Sequence, residues 1–143
     1  MARFNLKLNG NKAILQKMDK YSDKVREMVS DEIEAATYST HAKAVSALQS
    51  GTTDNGTLVQ LTNAQFDRPQ MTGKVEAGSN YAAYVEFGTG GFVDVPEGVE
   101  DYAMTFYVNG KGTMRPSPFL FPAFFAETKK MLEQIRKELV KWN

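Results

Sequence analysis

Between residues 11 and 50, apolar or small side chains recur at Ile14, Met18, Tyr21, Val25, Val29, Ile33, Ala36, Thr40, Ala44 and Leu48, every step being 3 or 4. That spacing predicts an amphipathic helix with one buried stripe, and Gly51 supplies its stop. Unbroken over Asn11–Ser50, the helix would be about 60 Å long. Either it breaks, with Ser22 capping a second segment at Asp23, or one end projects beyond its own domain. Ahead of it, Phe4, Leu6 and Leu8 alternate with Asn5, Lys7 and Asn9, the pattern of a short strand with one buried face.

Downstream the period changes. Ala64–Asp67 and Thr72–Ala77 flank Arg68-Pro69-Gln70 and read as a hairpin, whereas Leu58, Val59 and Leu61 form an apolar patch of undecided state. Tyr102–Val108 is aromatic and β-branched, hence a strand, and Asn109-Gly110 is a turn signal. Pro116, Pro118 and Pro122 hold the chain extended, with Pro122 suited to N1 of a final helix. The expected buried stripe of that helix is Phe125, Thr128, Leu132, Ile135, Leu139 and Trp142. Glu127/Lys130, Glu133/Arg136 and Glu138/Lys141 then make exposed i, i+3 pairs. The fold class is therefore α+β: one domain over 1–143, a small antiparallel sheet packed by a long N-terminal helix and a C-terminal helix.

The composition narrows the chemistry. Among 143 residues there is no cysteine and one histidine, which excludes disulfides, thiol catalysis and the usual Cys or multi-His metal sets. His41 lies near the end of the long helix with no partner constellation, so a solvated or capping role is expected. Gly110-Lys111-Gly112-Thr113 lacks the order of a phosphate loop, and Gly88–Val93 lacks the sixth-position glycine of a dinucleotide site. No acid/base pair or nucleophile with a base stands out. Neither an enzyme, a cofactor nor a metal is expected. No apolar run is long enough to cross a membrane, and Met1–Asn5 does not open a secretory signal, so the expected compartment of synthesis is the cytoplasm.

Charge balances at 17 against 17 but is unevenly spread. Residues 1–50 carry 8 Lys/Arg and 6 Asp/Glu, residues 51–101 carry 2 and 8, and residues 102–143 carry 7 and 3. This is not the basic profile of a protein that grips phosphates. It suits a subunit whose acidic and basic patches meet head to tail. Asp94, Glu97, Glu100 and Asp101 are the densest like-charge group. Their spacing does not fit an EF-hand, which leaves a solvated loop or a functional acidic surface.

Two stretches carry more information than composition. Tyr81-Ala82-Ala83-Tyr84-Val85-Glu86-Phe87-Gly88-Thr89 packs aromatics and a carboxylate ahead of a glycine turn. A short helix would gather Tyr81, Tyr84, Val85 and Gly88 on one face. Arg115-Pro116-Ser117-Pro118-Phe119-Leu120-Phe121-Pro122-Ala123 is framed by prolines. Together with the looser Asp54-Asn55-Gly56-Thr57-Leu58, these strings resemble the small neck and tail-completion, or head–tail joining, proteins of long-tailed bacteriophages.

That resemblance implies a structural virion protein forming a homo-oligomeric ring around the DNA channel, six-fold by preference and twelve-fold otherwise. Its partners would be other phage neck and tail proteins, with DNA passing through without sequence-specific binding. Its place would be the virion, and the host cytoplasm before assembly. The interface candidates are Tyr81, Tyr84, Glu86, Phe87, Gly88, Thr89, Pro118, Phe119, Phe121 and Pro122. Asp94, Glu97, Glu100 and Asp101 are the channel or ring-contact candidates. The residues alone also fit a soluble α+β module that binds a protein or small ligand and has no virion role.

Overall fold

The structure is a computed structural model that describes residues 4–9, 23–51, 56–78, 81–101 and 112–141. Three strands, β1 (Phe4–Asn9), β2 (Thr62–Asp67) and β3 (Thr72–Ala77), form an antiparallel sheet in the order β1-β3-β2. The hairpin sets the register: Thr62 stands opposite Ala77 and Asp67 opposite Thr72, while β1 adds to the far side of β3 with Phe4 opposite Ala77. Along β3 burial alternates, with Gly73, Val75 and Ala77 inward. The sheet thus has one packed face, as the period of two requires.

Helix α1 (Asp23–Gln49) lies on that face. From Val25 onward every position of the predicted stripe is buried: Val25, Val29, Ile33, Ala36, Thr40, Ala44 and Leu48. Thr37 is also fully buried, and its hydroxyl donates to the Ile33 carbonyl at 2.7 Å. There the helix crosses β3 so closely that a Cβ added at Gly73 would collide with Thr37 Oγ1. A glycine inside a strand marks this kind of approach. The first part of the predicted long helix, the passage through Ser22, the burial of Phe4, Leu6 and Leu8, the strand at 102–108 and Trp142 all lie outside the described residues or side chains.

The apolar patch after Gly56 resolves as a short helix, α2 (Gly56–Gln60), that buries Leu58. The aromatic block forms α3 (Ala82–Phe87). The chain ends in α4 (Phe121–Lys141), which runs antiparallel to α1 and packs along it. Two core clusters sit along α1. One gathers Ala44, Leu48, Leu58, Val75, Val85, Phe87 and Phe119–Phe121. The other joins Val25, Val29 and Ile33 to Phe66, Phe124, Met131, Ile135 and Leu139.

The phase of α4 differs from its predicted stripe. Phe125 and Leu132 are each 42% exposed, while Phe124 and Met131 take the places against α1. The helix carries apolar residues on more than one side, so periodicity alone admits two rotations. Phe121, inserted beside Phe87 at 5.5 Å between ring centroids, selects one of them. The same rotation turns Glu127 inward to pair with Lys43 of α1, so it does not face solvent beside Lys130. The predicted Glu138–Lys141 pair does form, at 3.1 Å.

Candidate functional site

The two stretches singled out in the sequence meet at Glu86. Its side chain is 1% exposed, and its carboxylate accepts three backbone N–H groups. Phe119 and Leu120 donate to Oε2 at 2.9 and 3.0 Å, and Phe121 donates to Oε1 at 2.9 Å. The first N–H groups of a helix have no partner within it, and those of α4 begin with a bond from Phe124 to the Leu120 carbonyl at 2.9 Å. Pro122, at the second helical position, has no N–H to leave unsatisfied. Glu86 takes the N–H groups immediately before it, and its negative charge lies at the positive end of the helix dipole. Burial pushes the carboxyl above the usual glutamate range, against the lowering pull of the three N–H bonds.

Backbone contacts tie the same segments together. Ser117 donates to the Val85 carbonyl at 2.7 Å, Thr89 to Met114 at 2.9 Å and Asp94 to Phe87 at 2.8 Å. Met114 N–H returns to the Thr89 hydroxyl at 2.8 Å. Gly88 closes α3 with φ of 79°, and a Cβ there would stand 2.9 Å from both Pro116 and the Phe92 carbonyl. Only glycine combines that conformation with that approach.

Each sequence candidate now has a position. Glu86, Phe87, Gly88, Phe119 and Phe121 are buried together, Tyr81, Tyr84 and Thr89 are half-buried, and Pro118 and Pro122 are exposed. The single apolar face expected for α3 is replaced by burial on several sides, since Ala82, Ala83, Val85, Glu86 and Phe87 are all covered. The reason is tertiary: side chains of α1, α2, β3 and Phe119–Phe121 pack around α3 from several directions. Asp94, Glu97, Glu100 and Asp101 are all exposed, after a 3₁₀ turn at Gly90–Phe92. The Glu100 carboxylate accepts the Gly98 N–H at 2.9 Å, and the Arg115 guanidinium lies 4.9 Å from the centroid of the Phe92 ring.

Sequence reasoning missed three features. Arg68 in the hairpin turn reaches Asp31 at 2.9 Å and Glu34 at 2.7 Å on α1. His41, half-buried, has Nε2 2.9 Å from the Thr62 carbonyl, joining α1 to β2 where a solvated or capping ring was expected. Phe125, Leu132 and Val140 line up on the solvent side of α4, a stripe visible in the sequence only as a surplus of apolar residues.

As arranged, the Glu86 carboxylate serves as a cap, because the hydrogen bonds it accepts all come from backbone N–H groups. Among the described residues no group of three or more His, Asp or Glu is placed to hold a metal ion. Within them no helix is long and apolar enough to cross a membrane. The family model described as "Bacteriophage HK97-gp10, putative tail-component" matches residues 12–88, a span that takes in α1, the hairpin and α3. No curated protein and no solved structure gives a significant match.

Proposed function

Because the chain belongs to the HK97-gp10-like family of phage tail components, we propose that it acts at the tail-completion or head–tail joining step, as a ring of identical subunits around the DNA channel. The observation that carries this reading is the rigid, unfinished face of α4. Glu86 and the Phe87–Phe121 contact lock the start of the helix in place, while Phe125, Leu132 and Val140 stay open to water at 42%, 42% and 72% exposure. Apolar side chains aligned on a fixed helix mark a surface that another subunit covers.

The charge distribution supports the same assembly. A formally neutral chain with segregated acidic and basic regions has little purchase on DNA phosphates, so the duplex passes without sequence-specific binding. The interface candidates around Glu86 act indirectly, by fixing α4 and the loop after Gly88 relative to each other. The neighbours of such a ring are other neck and tail proteins.

Native mass measurement and electron micrographs of the purified full chain test this. A closed ring, six-fold by preference and twelve-fold otherwise, is the expected result. A stable monomer that never decorates phage particles would replace the ring with a soluble binding module.

A further inference from the structure

We propose that the outward face of α4 seats the acidic loop at residues 92–101 of a second copy of this chain, an assignment that deepens the ring reading and rests on it. The seat is amphipathic in a particular way. Phe125, Leu132 and Val140 form its apolar strip, and exposed Lys129 and Arg136 are interleaved with them on the same side. Across the exposed residues of α4 there are five cations (Lys129, Lys130, Arg136, Lys137, Lys141) against one carboxylate, Glu133.

The loop presents the complement. Residues 90–101 hold no Lys or Arg, and Asp94, Glu97 and Glu100 are exposed in the same loop as Phe92, itself 39% exposed. Each patch is an apolar centre edged mainly by charge of one sign, Glu133 on the helix and Arg115 beside Phe92 being the exceptions, and the prevailing signs are opposite. Such pairs orient partners and suppress wrong ones.

The loop of the same subunit leaves from one end of this seat. It is tethered to the end of α3 by the Asp94–Phe87 bond at 2.8 Å, beside the start of α4. Arg136 lies fifteen residues along the helix from Phe121, about 22 Å away at 1.5 Å per residue. The far part of the strip, at Leu132 and Val140, stays open to another copy. In the ring reading the two patches meet head to tail, the heterologous arrangement that gives a ring when the rotation closes.

Charge reversal on the full chain tests the assignment by sedimentation velocity, with thermal melts confirming that each variant folds. One variant carries Asp94→Lys and Glu97→Lys, a second carries Lys129→Glu and Arg136→Glu, and a third carries all four changes. Each partial variant loses the multimeric species while still melting cooperatively as a folded subunit. The four-fold variant regains it, and so does an equimolar mixture of the two partial variants, whose loops and helices are again opposite in sign. Since the chain has no cysteine, Val93→Cys with Leu132→Cys gives an independent reading, namely disulfide-linked ladders between subunits. If the wild type forms rings but the partial variants still assemble, or the four-fold variant and the mixture stay dissociated, this pairing is wrong and the ring is built through another surface. A wild type that is monomeric in solution and absent from particles overturns the pairing and the ring together.

Discussion

Glu86 Oε1 accepts the backbone N–H of Phe121 at 2.9 Å, so a carboxylate from one short helix caps the first turn of another 35 positions downstream. With the companion bonds from Phe119 and Leu120, it makes the aromatic block and the proline-framed segment one mechanical unit.

Removing that cap has a graded cost. Glu86→Gln keeps the volume but points amide hydrogens at N–H donors, and the loss is about 1–3 kcal/mol, the cost of leaving buried donors unsatisfied. Glu86→Ala strips all three N–H groups and destabilises further. Chemical denaturation gives the order wild type, Gln, Ala, and amide exchange speeds up first at 119–121. An alanine variant as stable as the wild type would remove the cap from the account.

The same residue sets a pH dependence with a defined sign. Burial raises the folded-state pKa of Glu86 above its ordinary value of 4.5, so the folded chain holds the proton more tightly than the unfolded chain. Its contribution is full below 4.5 and declines as pH rises through the folded value. The stability difference between wild type and Glu86→Gln, which cannot titrate, therefore narrows as pH rises through that window and then levels. A difference that widens with pH would show that the three N–H bonds outweigh burial.

Gly73→Ala tests the approach of α1 to β3. Its new Cβ meets Thr37, whose side chain is fixed by its bond to Ile33, and overpacking of this kind costs about 1–3 kcal/mol. Adding Thr37→Ala removes the colliding oxygen and recovers part of the loss. Thermal melts of the single and double variants measure both effects, and an unchanged single variant would show that the crossing is looser than described.

Phe119, 2% exposed, anchors the segment between Pro118 and α4. Phe119→Ala costs about 3–5 kcal/mol, a large share of a small domain's stability. Val140→Ala, at a position 72% exposed, stays within about 0.5 kcal/mol in the isolated subunit. Equal melting temperatures for the two variants would contradict this division between core and surface.

Much of the architecture was determined locally. The stripe from Val25 to Leu48, the hairpin around Arg68-Pro69-Gln70 and the final helix after Pro122 follow from periodicity and turn chemistry, which depend on neighbours a few residues away. The importance of the stretches at 81–89 and 115–123 was also legible, through their aromatic and proline content. Their union was not. No local rule says that Glu86 finds three N–H groups more than thirty residues away, because that depends on how α3, the 112–118 segment and α4 converge in space. The rotation of α4 was likewise a tertiary decision. Its apolar residues permit two faces, and the insertion of Phe121 beside Phe87 sent Phe124 and Met131 inward and left Phe125 and Leu132 in water.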